Sequence, residues 1–337
     1  MTDNELIVLK SRPVGPATLD NFELRRAPLT ALQAGQVRVH HQYLSLDPYM
    51  RGRMNEGKSY AAAQALGEVM IGGTVGEVVE SRHPAFAVGD AVVGMGGWQL
   101  YSVVNADQPG ALHKVDTRQI PISAYLGAVG MPGVTAWWGL VRIIEPQAGQ
   151  TVVVSAAAGA VGSAVGALAK ARDCRVVGIA GGPDKCAYVR DELGFDDCID
   201  YKAHPQLADL SRALKMACSD GIDGYFENVG GVVTDAVMRR MNAFGRMAVC
   251  GMISRYDGAT HAMADPSLIL INRLKIQGFI VSEHLRDWPE ALRELSGLYL
   301  SGKLRPRESL AQGLQSAPEA FLGLLKGRNF GKQLVRL

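Results

Sequence analysis

The sharpest chemical signal in this 337-residue chain is Thr151-Val-Val-Val-Ser-Ala-Ala-Ala-Gly-Ala-Val-Gly-Ser-Ala-Val-Gly166. A β-branched run leads into A-x-G-x-x-G at Ala157, Gly159 and Gly162, and small residues of helical character follow. Gly159 permits close approach of backbone to a pyrophosphate, and Gly162 lets the helix pack tightly on the strand. The helix N-terminus then offers amide donors and a positive dipole to the phosphates. A tight strand-to-helix turn in an α/β protein that binds nothing has the same appearance, so the reading depends on the elements around it.

Which dinucleotide is held is decided at the end of the next strand. An NAD site places Asp or Glu there, for the ribose hydroxyls. This chain reads Ala180-Gly181-Gly182-Pro183-Asp184-Lys185, with no acid before the helix start. Lys185 is placed to meet a 2′-phosphate, and the missing acid removes a repulsion that would select against NADP. The plain alternative for Lys185 is a solvated surface lysine.

Other chemistries lack their residues. A catalytic zinc needs three protein ligands and a structural zinc four. The five cysteines, Cys174, Cys186, Cys198, Cys218 and Cys250, are scattered over the second half, and His40, His41, His83 and His113 have no ligand spacing. His40 and His41 fall in a strand and face opposite sides. No metal site is expected. Ser155-Ala-Ala lacks the Gly-x-Ser-x-Gly elbow of hydrolases, and Cys250 reads as a small residue at a strand end rather than a nucleophile.

The elements that must position the glycine turn fall into two groups. Residues 1 to 125 are β-rich: 37–43 alternates at period two, and 74–80, 90–93 and 99–104 are short apolar runs bounded by Gly, Asp or Pro, as in a barrel or sandwich. A helical pattern over Ile122–Ile144 follows, interrupted at Met131-Pro-Gly133. Six strand candidates then begin at Thr151, Arg175, Cys198, Gly224, Arg246 and Lys275, alternating with helices such as 183–193 and 207–217. That rhythm predicts a doubly wound parallel sheet. After a helix near 288–301, the tail ends in a strand at 332–337 and is expected to rejoin the first domain.

Composition excludes several classes. With 47% apolar and 20% charged residues and a net charge of +2, the chain has the make-up of a globular protein without a nucleic-acid footprint. No run approaches the roughly 18 apolar residues of a membrane span. Asp3 and Glu5 near the start argue against a signal peptide, and separated, odd-numbered cysteines fit reduced thiols. A cytoplasmic protein is expected.

Six motifs in order then define a resemblance over nearly the whole chain: Leu44-Ser-Leu-Asp-Pro-Tyr-Met-Arg51, Gly130-Met-Pro-Gly-Val-Thr-Ala136, Ala156-Ala-Ala-Gly-Ala-Val-Gly162, Tyr225-Phe-Glu-Asn-Val-Gly-Gly231, Cys250-Gly-Met-Ile-Ser-Arg-Tyr256 and Gly327-Arg-Asn-Phe-Gly-Lys332. The chain resembles the zinc-independent medium-chain dehydrogenase/reductases of the leukotriene B4 12-hydroxydehydrogenase/prostaglandin reductase group, with their alkenal and curcumin reductase relatives. The resemblance implies an α/β architecture: a GroES-like β-barrel catalytic domain, residues 1–125 and 303–337, and a six-stranded Rossmann domain, residues 126–302, that binds NADP(H). By position it assigns Gly159, Ala160, Val161 and Gly162 to the pyrophosphate. Lys185 and Tyr201 go to the 2′-phosphate, and Asn228 to the ribose or phosphate nearby. Cys250, Gly251, Ile253, Ser254, Arg255, Tyr256, Phe279, Ile280, Val281 and Asn329 go around the nicotinamide, and Met131, Thr135 and Gly182 are further cofactor-binding residues. Glu227 stands where the family has Asp, and Trp137-Trp138 replaces a smaller pair; two indoles either narrow a substrate cleft or pack against a helix.

The implied reaction is reduction of a carbon–carbon double bond conjugated to a carbonyl. Hydride addition at the β-carbon builds negative charge on the carbonyl oxygen, which calls for a hydrogen-bond donor there. A tyrosine suits, since its ordinary pKa of about 10 keeps it protonated. Tyr256 is the first candidate and Tyr49 the second, with the cofactor ribose 2′-hydroxyl as a non-protein alternative. Arg51, Arg53 and Lys58 form a basic cluster that reads best as a solvated face. Quinone reduction is the competing reading within the family, and a non-catalytic NADPH-binding partner protein the reading outside it. Relatives pair through an edge strand, so a homodimer covering 275–281 is expected.

Overall fold

The computed structural model describes residues 3–337; Met1 and Thr2, at the head of the expected first domain, lie outside the described residues. The chain forms two compact units, one built from the described residues up to Leu126 together with Glu308–Leu337, the other from Gly127–Arg307.

In the first unit β1 (Asp3–Leu9) and β2 (Phe22–Pro28) form an antiparallel ribbon. β3 (Gln36–Ser45) runs to the short helix α1 (Tyr49–Arg53), followed by β4 (Thr74–Ser81), β5 (Ala91–Gly94), β6 (Tyr101–Asn105) and β7 (Leu112–Lys114). β3 follows its alternation: Val37 and Val39 are buried and His40 is exposed, while His41 points inward.

In the second unit α2 (Met131–Trp138) starts at the Met-Pro-Gly segment rather than being broken by it. Pro132 sits in the first helical turn, where a missing N–H leaves no bond unmade. The strands then alternate with helices: β8 (Thr151–Ser155), α3 (Ala160–Lys170), β9 (Arg175–Ala180), α4 (Pro183–Ala187), β10 (Asp197–Asp200), α5 (Leu207–Ala217), β11 (Ile222–Glu227), α6 (Val232–Met238) and β12 (Met241–Val249). They are followed by α7 (Ser267–Ile271), β13 (Lys275–Gly278) and α8 (Trp288–Leu300). The six strands form one parallel sheet in the order β10-β9-β8-β11-β12-β13. This is the doubly wound α/β arrangement that the alternating runs predict. Every residue of β8 is buried, as a central strand covered on both faces must be. The order reverses between β8 and β11, and the crevice outside the carboxyl ends of two such strands is where open α/β sheets bind ligands.

The chain returns to the first unit with β14 (Glu308–Gln312), α9 (Ala317–Leu325) and β15 (Lys332–Arg336). These complete a mixed sheet in the order β14-β15-β3-β4-β5-β7, with β6 pairing β3. The crossing falls after Arg307, later than the expected residue 303. The Arg307 N–H donates to Tyr188 Oη at 3.0 Å and its guanidinium lies 4.5 Å from the Tyr188 ring, which ties residues 303–307 to the second unit.

Candidate active site

At the strand-order reversal, the end of β8 is bonded to the end of β11. Ser155 Oγ accepts the Asn228 N–H at 2.8 Å, and Asn228 Nδ2 donates to the Ser155 carbonyl at 2.7 Å. Ser155 Oγ in turn donates to Glu227 Oε1 at 2.8 Å. Glu227 is 1% exposed and also accepts from Tyr225 Oη at 2.8 Å, the Thr234 hydroxyl and the Val229 N–H. Four donors thus satisfy a buried carboxylate. Asn228 is held in place by this network.

The glycine turn leaves β8 through Ala156, whose φ of 50° is left-handed. That is a strained conformation for alanine, and it brings the chain round so that the Gly159 N–H reaches the Ala156 carbonyl at 2.9 Å. Gly159 caps α3, and the first turn presents the amides of Ala160, Val161 and Gly162. A methyl group on Gly162 would collide with the Ala156 carbonyl and stand 2.8 Å from Ala157 Cα. The helix rests on the turn only because that methyl is absent.

β9 ends at Ala180, and the residues after it meet those after β10. The Gly182 N–H, at a φ of 102° that favours glycine, donates to Asp200 Oδ1 at 2.8 Å. Tyr201 and Lys202 lie against Gly181, and Lys185 stands on the first turn of α4. Burial, and then the Lys202 ammonium, push the Lys185 pKa below the ordinary lysine value. Sequence reasoning missed Lys202; its signal was adjacency to Tyr201 just past the third strand. Beside this cluster a cleft of about 390 Å³ is lined by Tyr201, Lys202, His204, Val232 and Val233.

The segment after β12 is stitched to the end of β11 by backbone bonds. The N–H groups of Cys250 and Gly251 donate to the Glu227 carbonyl, that of Ile253 to Asn228, and that of Ser254 to Val229. The Cys250 thiol, desolvated and beside Glu227, is pushed up to about 12, consistent with a packing residue. Tyr256, half-buried, folds back so that a methyl group on Gly251 would lie 3.5 Å from its hydroxyl. Arg255 is exposed in the 3-10 turn that carries these residues. Phe279 turns its ring into the core, 5.2 Å from Trp138 and 6.3 Å from Phe226, with Ile280 and buried Val281 following it. On α2, Thr135 Oγ1 donates to the Met131 carbonyl at 2.7 Å.

Trp137 and Trp138 are packing residues. Both are buried, and their indole N–H groups donate to Glu294 Oε2 at 2.7 Å and Asp287 Oδ2 at 3.0 Å.

Two of the expected residues are carried by the first unit. Tyr49 opens α1, and burial, followed by the Asp47 carboxylate, raises its hydroxyl above the ordinary tyrosine value. Asn329 Nδ2 donates to the Gly331 carbonyl at 2.8 Å and shapes the turn before β15. Arg51 is not on a solvated face: it is 2% exposed, with its guanidinium donating to Asn55 Oδ1 at 2.7 Å and the Gly15 carbonyl at 2.6 Å. Its place on α1, facing the core beside Met50, decides this. Among the described residues no group of three or more His, Cys, Asp or Glu side chains is arranged to hold a metal ion.

A parallel sheet with a glycine turn at its strand-order reversal, in a chain that also carries a β-rich unit, has the arrangement of a dinucleotide-binding protein. Two family models match, one described as the N-terminal domain of oxidoreductase over residues 5–112 and one as zinc-binding dehydrogenase over residues 160–297. The chain is 43% identical to the NADPH-dependent curcumin reductase of Escherichia coli, over 99% of this chain and 97% of that protein. It is 41% identical to the NADP(+)-dependent 2-alkenal reductase of Nicotiana tabacum, over 98% and 97%. The crystal structure of CurA in complex with NADPH from Vibrio vulnificus superposes with a TM-score of 0.92 at 44% identity, covering 98% of each chain. The chain belongs to the zinc-independent medium-chain dehydrogenase/reductase family.

Proposed function

We propose that this protein is an NADPH-dependent reductase of carbon–carbon double bonds conjugated to a carbonyl, with 2-alkenals and enones as its substrate class. The observation that carries the reading is the end of β9. No acid stands there, and Gly181 meets Tyr201 and Lys202, with Lys185 on the helix turn that follows, in a chain more than 40% identical to an NADPH-dependent curcumin reductase and an NADP(+)-dependent 2-alkenal reductase.

NADPH, when bound, would supply a hydride. The residues present fit it. Gly162 leaves room where a side chain would block the turn, and the amides of Ala160 to Gly162 would hold a pyrophosphate. Lys185 and Tyr201 would hold the 2′-phosphate, and Asn228, fixed by Ser155, would hold the ribose or phosphate nearby. The segment from Cys250 to Tyr256 and residues 279–281 would surround the nicotinamide, with Met131 and Thr135 as further cofactor-binding residues.

Tyr256 supplies the donor for the substrate carbonyl oxygen. A phenol is protonated at neutral pH and gives one O–H to an oxygen on which negative charge builds. Tyr49, whose proton is held more firmly still, is a second donor contributed by the first unit.

The test is NADPH oxidation with short 2-alkenals, a cyclic enone, curcumin and a benzoquinone. Turnover of enals and enones well above quinone is expected; the reverse order, or no consumption of NADPH, overturns the reading. Tyr256→Phe should lower kcat/KM by about 10²-fold, the effect of removing one oxyanion donor. Full activity in that variant rejects Tyr256 as the donor.

Two further properties belong to this reading. β13 is an edge strand of the six-stranded sheet, and Leu270 and Ile271 just before it are 80% and 58% exposed. Edge and patch together support a homodimer formed there, to be checked by light scattering for twice the chain mass. All five cysteines are unpaired, which fits a reducing cytoplasm; cell fractionation checks it. No helix among the described residues is long and apolar enough to cross a membrane.

A further inference from the structure

Glu227 carries a carboxylate into the floor of the crevice at the strand-order reversal. It closes β11 and is 1% exposed. Its Oε1 accepts the Ser155 hydroxyl at 2.8 Å and the Val229 N–H at 2.5 Å, and its Oε2 accepts the Tyr225 hydroxyl at 2.8 Å and the Thr234 hydroxyl. All four donors are neutral. The carboxylate is held by hydrogen bonds and not by a cation, so its charge is left uncancelled.

The same residue underlies the segment that follows β12. Its backbone carbonyl accepts the N–H groups of Cys250 at 2.9 Å and Gly251 at 3.2 Å. Ser155 ends β8, so the charge lies where the two central strands and that segment converge. Buried charges are screened far less than those in water and act across several residues' breadth.

The two states of a nicotinamide differ by one unit of charge. The reduced ring is neutral, and the ring left when a hydride departs with its electron pair is a cation. We propose that Glu227 is an electrostatic element of the reaction: its buried carboxylate favours the oxidised, positively charged ring over the reduced one and so helps the hydride leave for the β-carbon of the substrate. The proposal rests on the reading above, which puts the Cys250–Tyr256 segment around the nicotinamide. Being buried, Glu227 acts through space from beneath the crevice and touches no reacting atom.

The test is the ratio of two dissociation constants, NADP+ over NADPH, measured by calorimetry on wild type, E227Q, E227D and T234K. Both nucleotides carry the same phosphates, so their repulsion from Glu227 cancels in the ratio. In E227Q the remaining oxygen keeps Ser155 and Val229, and the new amide meets the hydroxyls of Tyr225 and Thr234, which turn to accept it. Removing one charge at this depth should raise the ratio by about 10-fold. T234K keeps Glu227 and sets an ammonium beside it from a half-buried position, and should move the ratio the same way. E227D keeps the charge and should stay near the wild-type value.

A ratio unchanged in E227Q overturns the proposal and leaves the dinucleotide reading standing, even if both affinities fall together, because equal losses are the mark of a merely structural role. A ratio that falls, or one that rises as far in E227D, overturns it as well. If E227Q does not fold, T234K decides by the same ratio. Wild-type protein that binds neither nucleotide overturns both the proposal and the reading beneath it.

Discussion

Lys332 Nζ donates to Asp47 Oδ1 at 2.7 Å, a buried ion pair between residues 285 positions apart. The lysine also donates to the Leu46 carbonyl at 2.8 Å, and Ser45 Oγ donates to the other Asp47 oxygen. The last strand of the chain thereby fixes the Asp47-Pro48 turn that starts α1 and carries Tyr49. Breaking one side of such a pair strands a buried charge and costs about 3–5 kcal/mol. Lys332→Met is expected to lose stability on that scale in urea denaturation, and adding Asp47→Asn should recover part of it. A single-variant loss under about 1 kcal/mol would show that the pair is not holding the turn.

Gly162→Ala tests the contact beneath the cofactor. The new methyl meets backbone, the Ala156 carbonyl and Ala157 Cα, neither of which can rotate away. α3 must shift outward, so we expect a destabilisation of about 1–3 kcal/mol and NADPH affinity reduced at least about 10-fold, or roughly 1.4 kcal/mol. Thermal melts with and without NADPH read both quantities, and an unchanged ligand-induced shift counts against the assigned role.

His41 predicts the acid limb of stability. It is 2% exposed, neither ring nitrogen has a hydrogen-bond partner among the described residues, and a methyl group on Gly96 would run into its ring. Burial, with a smaller push from His40, lowers its pKa from 6.5 to about 3. Between those values the unfolded chain binds a proton that the fold refuses, so stability falls as pH drops from about 6.5 towards about 3. The full effect is about 5 kcal/mol at most. In His41→Leu the loss between pH 6.5 and 4 should be visibly smaller than in wild type, whatever the offset at pH 8. Parallel urea midpoints across that range in the two proteins would refute the assignment.

Asp235 on α6 anchors the segment that follows Tyr256. His261 Nε2 lies 2.6 Å from Asp235 Oδ2, and the Ala264 N–H donates to Asp235 Oδ1 at 3.1 Å. Asp235 is 4% exposed, so the segment is bound to a fixed point. Asp235→Asn is expected to speed hydrogen exchange over residues 257–264 and raise KM for NADPH more than it lowers kcat. Unchanged exchange in those peptides would mean that other contacts hold the segment.

Much of the second unit was legible because its determinants are local. Three valines between Thr151 and Ser155, leading into A-x-G-x-x-G, state both the buried strand and the close turn after it, and each later strand is a short apolar run followed by a helix start. The β-rich unit was less legible. β1 and β2 bury their side chains irregularly, and β2 carries Arg25, Arg26 and Glu23 on a ribbon with one exposed face, so no period-two pattern marks them. β14 likewise mixes partly buried and exposed positions without alternation.

Read alone, the chain determined its family, its parallel sheet, the glycine turn and the absence of an acid after the second strand. All of these are written in neighbouring residues. Tertiary structure alone decided that Glu227 is satisfied by Ser155, Tyr225 and Thr234, that Arg51 is buried, and that Lys202 lies beside Tyr201 over Gly181. Those relationships join residues on different strands or helices, and side-chain charge and hydrogen bonding act through space, which sequence spacing does not measure.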